Sequence, residues 1–157
     1  MLQTKQIIFN VGNEQYGIDI LKVHEIDNKG NFVRIPNAPE CILGIMNLRG
    51  EVIPVYSLRK RFNITQPAVN NETQQLIITA VDDMKIGFLV DSVNQIQEIR
   101  QDQLYNTPKI VLNSDTDFIA NVACVDKQII LLLDVSALIK DGEREQISAL
   151  LDEVNDK

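Results

Sequence analysis

The sequence predicts a mainly β protein built from two small, similar units and closed by a C-terminal helix. Three observations lead there: the chain repeats itself, its apolar residues alternate in short runs between turns, and only the last stretch changes to a helical period. Strands this short, with turns at close intervals, suit small barrels or a sandwich.

The repeat is direct. Shifted by 70 places, "IIFNVGNEQYGIDILKVHEI" (7–26) lies over "IITAVDDMKIGFLVDSVNQI" (77–96) without a gap and with six identities. Further on, "GIMNLRGEVIPVYSL" (44–58) matches "ANVACVDKQIILLLDV" (120–135) with one residue inserted. Two copies of one unit, roughly 5–65 and 72–140, are expected, separated by the polar segment 63–74. With 157 residues the chain is close to the size of one domain, so 1–157 is read as a single domain with internal halves.

Each copy opens as a hairpin. Ile7, Phe9 and Val11 alternate, the polar Gly12-Asn13-Glu14-Gln15 turns the chain, and Tyr16, Ile18 and Ile20 alternate again. Asp82-Asp83-Met84-Lys85 holds the place of that turn in the second copy. Gly17 and Gly87 fall inside strands, where glycine marks a bulge or a close backbone approach. A later hairpin sets Ile42–Leu48 against Val52–Leu58 and turns at Arg49-Gly50; Pro54 places its strand at an edge or a bulge, because proline donates no ladder bond. Beyond Gly142, Ile147, Leu150, Leu151 and Val154 fall on one face of a helix over about 142–155, packed on the β units or offered to a partner.

Composition narrows the function. A net charge of -7 repels phosphate backbones and anionic membrane surfaces, so nucleic acid is not expected as a partner. No apolar run reaches the roughly 18 residues of a membrane span, because Arg49, Glu51 and Pro54 interrupt the most apolar region, and the start of the chain carries no secretion signal pattern. Cys41 and Cys124 lie among apolar neighbours, which predicts two buried thiols in a reducing, cytoplasmic compartment.

Catalytic chemistry is sparse. The single histidine, His24, allows no multi-imidazole metal site, and no phosphate loop, nucleophile elbow or paired-cysteine spacing occurs. Asp82-Asp83 reads as a hairpin turn, and Asp115 with Asp117 as a solvated loop lacking the glycine and glutamate of a calcium site. Neither metal nor cofactor is expected. The basic cluster Arg59-Lys60-Arg61 reads as a solvated strand end or a docking patch for an acidic partner.

The stretches "YGIDILKVHEI" (16–26), "RIPNAPECILGIMNLRGEVIPVYSLRKRF" (34–62) and "IGFLVDSVNQIQEI" (86–99) resemble the CheW family of chemotaxis coupling proteins over nearly the whole chain. The resemblance implies two five-stranded β-barrels packed together, and a non-catalytic scaffold instead of an enzyme. It also implies partners: the regulatory domain of a CheA-type histidine kinase, the cytoplasmic tip of methyl-accepting chemoreceptors, and other CheW-like domains in array rings. The isolated chain would then be a cytoplasmic monomer, recruited to membrane-associated arrays without inserting into the bilayer.

Matching motifs carry a receptor-facing role onto Ile20, Val23, Glu25, Gly44 and Arg49, with Asn47, Leu48 and Gly50 forming the motif turn. Ile20 and Val23 would give apolar contact, Gly44 close approach, and Arg49 a charged anchor paired with Glu25. A plainer reading has Arg49 capping a turn over a core that includes Ile20 and Val23. The chain departs from the family pattern at Ala120 and Asn121, where glycine is usual, and at Glu51, which adds negative charge beside the anchor. No receiver domain, ATP-binding or phosphotransfer segment is read in the sequence, so neither a two-domain CheV-type protein nor the kinase itself is expected. Against the adaptor stand a double-barrel sensor holding a small ligand in a closed cleft, and, more remotely, a hydrolase built on scattered carboxylates.

Overall fold

The computed structural model describes residues 3–28, 32–64, 73–106 and 117–155. Among the described residues eleven strands appear in order: β1 (Gln3–Val11), β2 (Glu14–Asp19), β3 (Val23–Asn28), β4 (Ile42–Leu48), β5 (Glu51–Ser57), β6 (Gln75–Val81), β7 (Met84–Val90), β8 (Ser92–Arg100), β9 (Leu104–Asn106), β10 (Ile119–Val125) and β11 (Gln128–Leu133). Two single-turn helices, α1 (Leu58–Arg61) and α2 (Val135–Leu138), follow β5 and β11, and α3 (Asp141–Asn155) ends the described chain. The mainly β architecture with a C-terminal helix is as the sequence predicts.

The strands form a six-stranded sheet, β8-β1-β2-β11-β10-β9, and a five-stranded sheet, β3-β6-β7-β5-β4. Each sheet therefore takes its central hairpin from one sequence copy and its flanking strands from the other. Parallel pairing of β2 with β11 and of β5 with β7 makes the exchange. The registers agree residue for residue: Gly17 pairs with Leu132 as Gly87 pairs with Val55, and Ile7 with Ile96 as Ile77 with Ile26. Even the bulges recur, at Ile42/Gly44 and at Ile119/Asn121.

The central hairpins are apolar on both faces because both faces are covered. Ile7, Phe9 and Val11 join Ile77, Val81, Ile86 and Phe88 in a core shared between the sheets. Ile8 points the other way, into a second cluster with Ile99, Ala123 and Leu132, and Leu76 and Ile78 enter a third with Ile53 and Val55. Three apolar layers thus alternate with two sheets, and successive residues of one strand serve different layers.

Hydrogen bonding does not close either sheet into a barrel among the described residues, but the chain itself brings the edges together. β8 and β9 are opposite edges, yet only Gln101–Gln103 separate them, a link of about 14 Å at full extension. In the other sheet, Val33 crosses from the β3 side and bridges Ile45 through N–O distances of 2.8 and 2.9 Å.

The first hairpin of each copy turns over two residues, tighter than expected, and the β4–β5 hairpin turns at Arg49-Gly50 as expected. Arg49-Gly50, Asp82-Asp83 and Asp126-Lys127 all have positive φ at both positions, the twist that suits antiparallel strands. At Gly17 a Cβ would come within 2.7 Å of Leu132 Cδ2, so this glycine marks a close approach. Gly87 has ordinary space and no bulge. Pro54 lies on an interior strand, but pairing with β7 starts only at Val55, so its missing donor falls where β5 is locally an edge.

Two sequence expectations need correction. The basic cluster is not a solvated strand end: it forms α1, capped by Ser57 Oγ, with Arg59 and Arg61 engaged inside the fold. Arg61 is 6% exposed, donates to the Leu138 carbonyl at 2.8 Å and lies over the Phe118 ring. Arg59 binds Asp91 through Nε and Nη2, while Asp91 also accepts from Gly12 N–H. Cys41 is buried as expected, but Cys124 is exposed, because its neighbours Ala123 and Val125 take the inward positions on β10. Asp115 lies outside the described residues, as do residues 65–72 of the polar linker.

α3 packs on β5. Ile147 enters the shared core and Leu151 lies against it. The Tyr56 hydroxyl meets Glu143 at 2.9 Å and the Leu138 carbonyl at 3.3 Å, and it also contacts the buried Cys41 thiol. Burial pushes the Tyr56 hydroxyl pKa far up and raises the Cys41 thiol as well.

Candidate functional site

Of the proposed receptor-facing residues, Glu25 and Arg49 meet at the edges of the five-stranded sheet, Ile20 and Val23 are half-buried, and Gly44 is buried. After β2, Asp19 caps a single 3-10 turn, Ile20–Lys22, by accepting from Leu21 N–H at 2.9 Å. The turn leaves Ile20 and Val23 half-buried against the shared core and holds Leu21 out at 88% exposure. Leu21 was missed in the sequence; its signal was an apolar residue where the alternation of Tyr16, Ile18 and Ile20 breaks.

Among the described residues β3 is an edge strand, paired with β6, and a bulge between Val23 and Glu25 resets its alternation. Glu25 is thereby turned toward the opposite edge. There the β4–β5 turn presents Arg49 with φ 50° and Gly50 with φ 89°, a conformation that glycine adopts freely and arginine does not. The Asn47 carboxamide oxygen accepts from Gly50 N–H at 2.7 Å and holds the turn.

Arg49 Nη2 donates to Glu25 Oε1. The hydrogen bond holds the Glu25 carboxyl below the usual carboxylate range and raises the guanidinium, so both groups are charged at neutral pH. Arg49 is mostly exposed and Glu25 much less so, which leaves donors of the guanidinium facing solvent. Lys85 pairs with Glu51 at 3.0 Å, so the negative charge that the sequence places beside the anchor is locally balanced.

Gly44 and Leu48 lie beneath this surface. Gly44 is buried, and a Cβ there would sit 2.1 Å from the Val33 carbonyl oxygen, so the close approach at Gly44 is made by the chain's own crossing segment. Leu48 belongs to the core of the five-stranded sheet. Val33 and Ile26 are exposed apolar residues on the same sheet.

The duplicated fold supplies an internal comparison. In the six-stranded sheet the positions of Glu25 and Arg49 are held by Gln95 and Asp126, and the position of exposed Leu21 by Asp91, which is tied to Arg59. The backbone is repeated but the charge pair is not.

The CheW-like domain model matches residues 5–143. A chemotaxis protein CheW of Klebsiella aerogenes is 32% identical over 148 residues, spanning 94% of this chain and 86% of the relative. Its counterpart in Bacillus subtilis is 32% identical over 143 residues, 90% of each chain. The crystal structure of the scaffolding protein TtCheW from Thermoanaerobacter tengcongensis is similar with a TM-score of 0.81 and 31% identity, covering 91% of this chain and 92% of that one. The family model, the relatives above 30% identity and the sheet architecture agree: the chain belongs to the CheW-like domain family, a family of chemotaxis coupling proteins.

Proposed function

We propose that this chain is a non-catalytic adaptor that joins the cytoplasmic tip of a chemoreceptor to a CheA-type histidine kinase. The observation that carries the reading is Arg49, an exposed guanidinium already held by Glu25, which lies on the strand that the turn bearing Ile20 and the exposed Leu21 leads into. An arginine fixed before docking loses little side-chain entropy on binding, and its planar fork still has donors for a carboxylate or carbonyl of the partner. Apolar side chains around such an anchor exclude water from it.

In this reading Ile20, Leu21 and Val23 contact the receptor, Arg49 anchors it, and Glu25 positions Arg49. Asn47, Leu48 and Gly50 hold the turn, and Gly44 lets Val33 cross beneath it. The kinase regulatory domain and other CheW-like domains engage other surfaces, in the cytoplasm, at membrane-associated arrays. Among the described residues no helix is long and apolar enough to cross a membrane.

Titration calorimetry against a receptor cytoplasmic fragment and against the kinase regulatory domain tests the reading. Saturable binding to both, with only the receptor interaction weakened by Arg49→Ala, is the expected result. Binding to neither overturns it and favours the small-ligand sensor.

A further inference from the structure

His24, the only histidine in the chain, is the extra residue of the β3 bulge: Val23 pairs with Thr79 and Glu25 with Ile78, and His24 is left between them. A regular strand would send His24 and Glu25 to opposite faces of the sheet. The bulge re-aims the imidazole, and its Nε2 lies 3.9 Å from Glu25 Oε1. That is the same oxygen to which Arg49 Nη2 donates, so imidazole and guanidinium converge on one carboxylate. The His24 and Arg49 side chains are open to solvent, whereas Glu25 is only 22% exposed.

The other charges nearby have partners or lie to one side. Lys85 adds to the positive field at Glu25 but pairs with Glu51, and Asp27 acts on Arg49 while accepting from Asn28 N–H. Lys22 ends the turn that precedes β3, and β6, the strand paired with β3, carries no titratable side chain. In the other copy the bulge recurs in β8, with Asn94 as the extra residue and Gln95 after it. The same backbone device therefore holds a titratable pair in one copy and none in the other.

With His24 neutral, Glu25 balances Arg49 alone. With His24 protonated, one carboxylate faces two cations and the cluster gains a positive charge. Histidine side chains change charge between about pH 5 and 8, and Glu25, held below the ordinary carboxylate range, stays ionised across that window. We propose that His24 couples docking at the Arg49 face to proton uptake, so that a carboxylate of the receptor tip is held more tightly once the imidazole is protonated. The inference rests on the adaptor reading and names the group that Arg49 receives: an added positive charge favours an anion over a neutral carbonyl. By linkage, a partner that prefers the protonated form draws a proton onto it.

Calorimetry against a receptor cytoplasmic fragment at about pH 8 and about pH 6, in two buffers of different ionisation enthalpy, reads affinity and proton uptake together. The wild type is expected to bind about two- to fivefold more tightly at the lower pH and to take up a fraction of a proton. His24→Asn, a change to the residue type that the other copy carries at its bulge, should remove both effects. Because the chain has a single histidine, its ring signals in the 13C,15N-labelled protein give a second reading without any variant: unlabelled fragment added at about pH 6.5 should move them toward those of imidazolium. Equal affinity at the two pH values, tighter binding at the higher one, a pH dependence that persists in His24→Asn, or unmoved ring signals would each overturn the proposal and leave the adaptor reading in place. Absence of binding at both pH values would overturn the two together.

Discussion

Arg49 holds Glu25 across the gap between the two edges of the five-stranded sheet, a contact between a turn and an edge strand that share no backbone hydrogen bond. In a double-mutant cycle against receptor fragment, Arg49→Ala is expected to lower affinity about tenfold or more, and Glu25→Ala by less, because it frees the guanidinium without removing it. The double variant should lose little beyond Arg49→Ala. Arg49→Lys should not restore binding, since an ammonium lacks the planar fork. Fully additive losses would mean that the two residues act apart.

Glu25 also gives a pH signature. Its folded-state pKa is lowered, so the contribution of the pair is fully present above the ordinary glutamate value of about 4.3 and is lost as pH falls through the lower folded value. A carbon-detected titration of the Glu25 carboxyl should show a midpoint below about 4.3, returning toward it in Arg49→Ala. An unshifted midpoint in the wild type would show that the pair does not persist in solution.

Gly44→Ala should destabilise the fold without touching the exposed face. Its Cβ would overlap the Val33 carbonyl, which is backbone engaged in the bridge to Ile45. A cost of about 1–3 kcal/mol is expected from overpacking, with loss of slow exchange at the Ile45 amide. Stability equal to wild type would place the crossing segment elsewhere.

Arg61 is a buried cation that works inside the fold. Arg61→Leu leaves the Leu138 carbonyl with a weaker set of donors and removes the stacking on Phe118, so chemical denaturation should show a loss of about 2–3 kcal/mol. Receptor and kinase affinities should be unchanged while the protein is folded. A surface docking role would give the reverse pattern.

Alkaline stability should be limited by two tyrosines. Burial raises the Tyr16 hydroxyl to about 12 and lifts Tyr56 further. The unfolded chain releases these protons near pH 10 while the folded chain keeps them, so stability is full below about 10 and falls as pH rises toward 12. Tyr16→Phe should flatten part of that decline in denaturation curves collected from about pH 9 to 11. An unchanged slope would assign the decline to other groups.

Local features were legible in the sequence, and long-range pairings were not. The hairpins, the Arg49-Gly50 turn, the α3 stripe and the Glu25–Arg49 pair follow from alternation, glycine chemistry and family motifs. The repeat showed that two copies exist, but not that each lends strands to the other, because the parallel pairing of β2 with β11 joins residues more than a hundred places apart. Arg61 was misread for the same reason: its partners Phe118 and Leu138 come from the other copy. Cys124 was misread because apolar neighbours on a strand point to the opposite face from the residue between them.

The exchange of strands between copies has a further consequence. A half-length chain could complete neither sheet alone, but two identical half-chains could complete both by trading hairpins, and such a homodimer would present the same face twice. Joining the halves into one chain releases the two faces from being identical. One now carries Glu25 and Arg49, and the other Gln95 and Asp126. Symmetry in the backbone with asymmetry in the side chains is what a molecule needs in order to hold unlike neighbours on its two sides.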